Sequence, residues 1–223
     1  MKLTVFDLDH TLLQGDSDTL WCDFLMREGV LARERFGPLN AAMEHDYRAG
    51  TVSAVAYCEF YVGTLAGRSV DGWAPWLVRF LDEEIAPRLS PAAHALVQRH
   101  LRSGDRVVLS TATNRVITER TAAHLGIPDL IATECEVAPD GMLSGRLRGA
   151  PNMREGKVTR LNAWLAGQGL ALNDCDSRFY SDSMNDLALL QTVRHPVVVD
   201  ADERLAAEAA RRGWPAISLR GQL

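Results

Sequence analysis

The sequence predicts an α/β protein, a doubly wound parallel sheet with an all-helical insertion after its first strand. Three observations predict it. Short apolar runs alternate with helical patterns along most of the chain, the rhythm of strand–helix–strand units. The stretch from about Asp16 to Pro87 breaks that rhythm and holds only helical patterns. Two of the apolar runs end in carboxylates, at the strand ends where open parallel sheets bind their ligands.

The first strand is "LTVF", Leu3–Phe6. The insertion opens with "SDTLWCDFLMREG", which offers Ser17 or Asp18 as N-cap and puts Trp21, Phe24 and Leu25 on one face. Trp21 is read as packing inside the insertion. The tracts Ala54–Leu65 and Trp73–Ile85 have similar patterns. A helix over Pro91–Arg102 follows, with Ser90 as cap, proline in the first turn and Gly104 beyond its end. Further strands are expected at 106–110, 129–134, 178–181, 196–200 and 215–219. Helices between them are read in "RVITERTAAHLG", "GKVTRLNAWLAG", "NDLALLQTV" and "DERLAAEAARRG". The stretch "CEVAPDGMLSGRLRG" reads as a hairpin turning at Asp140-Gly141. The expected division is a core of residues 1–15 and 88–223 and a helical domain of residues 16–87.

With 24 basic and 29 acidic residues, the net charge is −5. That balance argues against a general nucleic-acid or anionic-membrane binder while leaving room for a local basic pocket. Cys22, Cys58, Cys135 and Cys175 are scattered with no CxxC pair, so zinc is not expected and reduced, buried thiols of a cytoplasmic protein are. Asp7 and Asp9 interrupt the N-terminal apolar run, so no signal peptide is expected there. No apolar stretch approaches the roughly 20 residues of a membrane span.

The chemistry begins at "VFDLDHTLL". Residues two apart share a strand face, so Asp7 and Asp9 would sit together if the strand continues that far. Two such carboxylates repel unless a cation lies between them, and a hard, oxygen-seeking ion such as Mg²⁺ suits the pair. "FYSDSMNDLALL" repeats the arrangement with Asp182, Asn185 and Asp186. Each stretch alone reads as turn and cap residues; two acidic strand ends in one domain argue for a site. "RVVLSTATN" ends a strand in hydroxyls suited to a phosphate oxygen. The relevant hydroxyl is Ser110 or Thr111, and Thr111 is chosen because Arg106–Ser110 fill the strand before it. Lys157 opens a helix, where the dipole disfavours a cation, so an anionic partner is expected. His10 would point to the opposite strand face and is assigned no chemistry.

The ordered set "DLDHT", "LSTAT", "GK" and "SDSMND" resembles the four motifs of the haloacid dehalogenase superfamily of phosphohydrolases. The resemblance spans the chain. It implies a Rossmann-like core with a C1-type cap, and "GDSDTLW" and "YSDSMND" look like its subfamily IB, the phosphoserine-phosphatase-like branch. It implies a Mg²⁺-dependent phosphomonoesterase in which Asp7 is the nucleophile and Asp9 the general acid and base. Mg²⁺ would be held by Asp7, the backbone carbonyl of Asp9 and Asp182, with Asp186 either a direct or an outer ligand beside Asn185. Thr111 would bind the phosphoryl group and Lys157 its charge. Asp16 and Ser17 at the pocket mouth, Arg48, Ala112 and Tyr57 are candidate substrate contacts. Phosphoserine phosphatases usually carry Ser-Gly-Gly where this chain has Thr111-Ala112-Thr113, so histidinol phosphate or another small phosphomonoester is as plausible as phosphoserine.

The alternatives are a phosphotransferase using the same aspartyl-phosphate, a dehalogenase, a receiver-type phosphoacceptor and a non-catalytic phospholigand binder. A dehalogenase needs neither Asp9 nor the metal carboxylates. A receiver keeps its acidic pair and phosphorylated Asp on different strands. The partner expected is a small phosphorylated substrate, with the protein a monomer or homodimer.

Overall fold

Leu3 and Val5 face one side of the first strand, β1 (Lys2–Phe6), and Phe6 faces the other; both sides are buried. A strand apolar on both faces needs helices on both, and the chain supplies them. A computed structural model describes residues 1–220; residues 221–223 and the side chain of Arg48 lie outside the described residues.

After β1 come α1 (Ser17–Arg27), α2 (Arg33–Ala49), α3 (Ala54–Gly63) and α4 (Val70–Phe80), the last continuing through a π-turn, Leu81–Ile85. Then follow α5 (Pro91–Arg102), β2 (Arg106–Asn114), α6 (Arg115–Leu125) and β3 (Asp129–Thr133). A hairpin, β4 (Cys135–Val137) and β5 (Leu143–Leu147), leads to α7 (Glu155–Ala166). The chain ends with β6 (Asp176–Ser181), α8 (Leu187–Leu190), β7 (His195–Val199), α9 (Glu203–Arg212) and β8 (Ala216–Ile217).

The central sheet is parallel in the order β3-β2-β1-β6-β7-β8. The strand order reverses beside β1, so the carboxyl ends of β1, β2 and β6 open onto one crevice. Leu3 and Val5 pack with Leu161 and Leu165 of α7 and Leu205 of α9. Phe6 packs with Leu96 and Val97 of α5 and Ile117 of α6. That second cluster runs on without a break into Trp21, Phe24, Trp73 and Phe80 of the helical insertion, so Trp21 is core as expected.

Several elements depart from the sequence pattern. The cap of α1 is Asp16, which accepts from Thr19 N–H at 2.9 Å, rather than Ser17 or Asp18. The helix α2 was not anticipated as a separate element. Only Asn40 among its described side chains is fully buried; Phe36, Met43 and Tyr47 are half-buried against the insertion's core, a sparse apolar face that Asn40 interrupts. The strand β2 runs to Asn114, beyond the expected Ser110. The expected helix at "NDLALLQTV" shrinks to α8 after a 3₁₀ turn, Met184–Asp186, and the last strand to β8. The hairpin forms as expected, but it seats on the helical insertion. Gly67 N–H donates to the Leu143 carbonyl (3.0 Å) and Leu143 N–H to that of Arg68 (2.9 Å). Gly145, at φ +81°, leaves room there that a Cβ would lose against Ala66 at 2.9 Å.

Candidate active site

β1 stops at Phe6, and Asp7 follows with its N–H donating to the Tyr180 carbonyl at 3.0 Å. Lys157 Nζ donates to Asp7 Oδ1 at 2.7 Å and to Asp186 Oδ2 at 2.8 Å. Ser181 also donates to that Asp186 oxygen, at 2.7 Å. The lysine in the first turn of α7 is thus 3% exposed and paired twice, the anionic partner its position demanded. Burial works against its charge, but Asp186 and Asp7 outweigh that and hold its pKa above the usual lysine range.

Thr11 joins the two acidic strand ends. Its hydroxyl lies 3.0 Å from Asp7 Oδ2 and 3.1 Å from Asp182 Oδ1. One hydroxyl proton serves one acceptor at a time, so the pair keeps an excess of negative charge. Burial pushes the Asp7 carboxyl up to about 6 against the pull of Lys157. Burial, then Asp7 and Asp186, push Asp182 well above the carboxylate range.

Asp9 has different partners. Its Oδ1 accepts from Ser17 N–H (2.7 Å); its Oδ2 accepts from the hydroxyls of Thr113 (3.0 Å) and Thr111 (3.3 Å). Burial, then Asp16 and Asp7, push it up to about 7. The expected shared strand face therefore fails as an argument: the chain leaves the strand before Asp9. His10, at φ +57°, lines the cavity beside Asp182 instead of facing the far side of the sheet.

Thr111 is the hydroxyl turned to Asp9, while Ser110 Oγ accepts from Asn152 Nδ2 at 3.1 Å. Thr111 does not follow the strand's end as expected, because β2 continues past it to Asn114. Asp16 and Ser17 are corrected from pocket mouth to inner support. Asp16 caps α1 with one oxygen and accepts from the Tyr57 hydroxyl with the other, at 3.0 Å. Ser17 is fully buried, its hydroxyl 3.0 Å from that of Thr113. Ala112 packs against the Cys22–Tyr57–Tyr61 cluster. Arg48, a candidate substrate contact, has its side chain outside the described residues.

Residues not singled out by the sequence also build the site. Tyr47 of α2 stacks on Tyr57 with centroids 4.7 Å apart. Burial, then Asp186, Asp182, Asp7 and Asp16, push its hydroxyl well above the usual tyrosine range, so it faces the acidic cluster. Asn152 is fully buried and donates to the carbonyls of Thr111 and Ile131, both at 2.9 Å, tying β2 to β3. Arg154 lies in the same loop. Thr11 stands within "DLDHT", and its bridge to Asp182 has no signal of its own in the sequence. The only signal for Tyr47, Asn152 and Arg154 was proximity in sequence to Arg48 and Lys157. A cavity of about 530 Å³ opens over Asp182 and Asn185, walled by His10, Tyr47, Asp200 and Arg204.

The donors suit a hard cation. Among the described residues no three His, Cys, Asp or Glu side chains form a ready cage. Asp7 and Asp182 face each other across Thr11 with oxygens only, and Mg²⁺ is commonly held by one or two carboxylates plus water and substrate phosphate. Asp186 has one oxygen engaged by Lys157 and Ser181. All four cysteines are free and buried, and burial pushes Cys22, Cys58 and Cys135 up to about 12, which keeps them inert.

A family model described as haloacid dehalogenase-like hydrolase matches residues 4–191. The chain is 37% identical to a histidinol-phosphatase of Neisseria meningitidis serogroup C, over 98% of this chain and 99% of that one. It is 33% identical to phosphoserine phosphatase SerB1 of Mycobacterium tuberculosis, over 94% of this chain and 68% of the relative. A crystal structure of a protein of unknown function from Bordetella pertussis Tohama I superposes with a TM-score of 0.92 at 43% identity, covering 98% of each chain. A substrate-bound phosphoserine phosphatase superposes at 0.68 with 17% identity, over 97% and 92% of the two chains, a likeness of fold.

Proposed function

This chain belongs to the haloacid dehalogenase-like hydrolase family and is a phosphoric monoester hydrolase, and we propose a mechanism in which Asp7 takes the phosphoryl group and water then cleaves the aspartyl-phosphate, freeing Asp7 and phosphate. One observation carries the assignment of roles. A buried lysine pairs with Asp7 while a single threonine bridges Asp7 to Asp182.

Asp7 attacks phosphorus from a carboxylate that Lys157 holds by Oδ1 and Thr11 by Oδ2. Lys157 offsets the charge gathered on Asp7 and the phosphoryl oxygens. Asp9, raised to about 7 by burial, holds a proton near neutral pH and gives it to the leaving alkoxide. It then takes a proton from the water that opens the aspartyl-phosphate. Ser17 N–H and Thr113 fix its carboxyl for both steps, and Thr111 donates toward the phosphoryl group. Mg²⁺, held by Asp7, Asp182 and the Asp9 carbonyl, would supply electrostatic shielding between carboxylate and phosphate.

The substrate is a small phosphomonoester, and histidinol phosphate is favoured over phosphoserine. Tyr47, which walls the cavity beside Asp182, offers a ring face suited to an ammonium-bearing leaving group. The relative at 37% identity carries the name histidinol-phosphatase, which supports the same reading. The reduced thiols support a cytoplasmic place, and among the described residues no helix is long and apolar enough to cross a membrane.

The test is phosphate release from a panel of small phosphomonoesters including both compounds, with Mg²⁺ and with EDTA. Wild type is expected to turn over histidinol phosphate best in Mg²⁺, and Asp7→Asn to fall by at least about 10³-fold. Full activity in Asp7→Asn would refute the nucleophile. Transfer of phosphate to an added alcohol in preference to water would favour a phosphotransferase.

A further inference from the structure

The loop Asn152–Arg154 holds two side chains in fixed places and throws out a third. Asn152 is pinned between β2 and β3, and Met153, 3% exposed, is buried among Cys22, Met26, Tyr57, Cys58 and Tyr61 of the helical insertion. Arg154 takes φ +54°, ψ −126°, a conformation that costs energy for any residue with a side chain. Gly156 lets the loop turn tightly, because a Cβ there would strike the Pro151 carbonyl. With that backbone, Arg154 Nε donates to Asn185 Oδ1 and Nη2 to the carbonyl of Val52, each at 3.2 Å. Val52 lies in the turn between α2 and α3, in the helical insertion.

The guanidinium has donors only, so the Asn185 atom it meets must be the amide oxygen. That contact turns the Asn185 amide nitrogen away from Arg154. Asn185 lines the cavity shared with Asp182, and among the described residues its nitrogen has no protein acceptor. A flipped amide would offer an acceptor where a phosphoryl oxygen or its water needs a donor.

We propose that Arg154 is a positioning residue that links the seating of the helical insertion on the sheet to the orientation of Asn185 in the phosphoryl pocket. The link rests on the phosphatase reading above. The clasp closes only when the Val52 turn is in reach. Asn185 is therefore set with its donor toward the substrate when the insertion is seated, and is released when it lifts.

Arg154→Gly removes the guanidinium and accepts the backbone angles without strain, so it is expected to fold with an unchanged or higher Tm. The expected loss is about tenfold in kcat with a smaller change in KM, since orientation rather than substrate contact is lost. Arg154→Lys recovers part of the loss, because an ammonium satisfies one acceptor where the fork satisfies two. The double variant Arg154→Gly/Asn185→Ala should match Asn185→Ala alone within about twofold. Multiplying losses in the double variant, or wild-type kcat in Arg154→Gly, would overturn the link. A wild type that releases no phosphate would instead refute the phosphatase reading. In that case hydrogen exchange judges the clasp: faster exchange at Thr51–Ser53 in Arg154→Gly supports it, and unchanged exchange overturns it.

Discussion

At the scale of single residues, the site is a set of carboxylates buried before any cation arrives. Burial raises Asp7 from 3.8 to about 6 and Asp9 from 3.8 to about 7, and pushes Asp18 and Asp182 well up. Asp18 also keeps one buried oxygen without a hydrogen-bond partner among the described residues. A carboxyl raised on folding stays protonated where the unfolded chain ionises it. The folded state then binds more protons, and stability falls as pH rises. For Asp7 and Asp9 the stabilisation is complete below about 3.8 and is lost as pH rises through about 6 and 7. The metal-free protein is therefore expected to melt lower at pH 8 than at pH 6, at about 2–4 °C per kcal/mol for a chain of this size. Mg²⁺ should raise Tm more at pH 8, where the carboxylates are charged. Thermal scans in EDTA and in Mg²⁺ at both pH values check this; a melting point flat with pH in EDTA would count against it.

At the scale of elements, α1 places Asp9, the proposed general acid, as much as β1 does. Asp16 caps the helix, and that cap holds Ser17 N–H against Asp9. The other Asp16 oxygen takes the buried Tyr57 hydroxyl from α3. Asp16→Ala is expected to cost about 1 kcal/mol for the cap and a further ~1–3 kcal/mol for the hydroxyl left unpaired. Adding Tyr57→Phe removes the orphan hydroxyl, so the double variant should lose less than the sum of its parts. Urea unfolding of the three variants decides it, and strictly additive losses would show that the bond contributes nothing.

At the scale of the whole molecule, the insertion is not cored separately from the sheet. One buried cluster runs from Phe6 and Leu8 through Trp21, Phe24 and Phe80 to Ile117 and Leu125. Met153 anchors a sheet-side loop in the insertion, and the β4–β5 hairpin bonds to its Gly67–Arg68 turn. Unfolding is expected to be a single cooperative step. Trp21, Trp73 and Trp76 report on the insertion, and Trp164 and Trp214 on the helices and loops about the sheet. Fluorescence of variants that keep one group or the other should share a midpoint with far-UV circular dichroism. Separate midpoints would show two units.

By itself the sequence determined the strand–helix alternation, the helical insertion and the hairpin, and it put Asp7, Asp9, Asp182 and Lys157 at element ends, while grouping them with Thr111 as one chemical set took the family resemblance. These are local signals: an apolar run meeting a carboxylate, a lysine at a helix start, a turn at Asp140-Gly141. The tertiary structure alone decided how that set is wired. Helix α2 shows only a sparse apolar face of Phe36, Met43 and Tyr47, and nothing in that spacing says that Tyr47 walls the cavity beside Asp182. Asp16 looked like a pocket residue because its contact with Tyr57 spans two helices. The roles of Thr11, Asn152 and Arg154 each depend on partners far away in the chain, Asp182, Ile131 and Val52. Such contacts arise when separate elements pack into one core, and no periodicity or spacing records which polar groups that packing brings within hydrogen-bond reach.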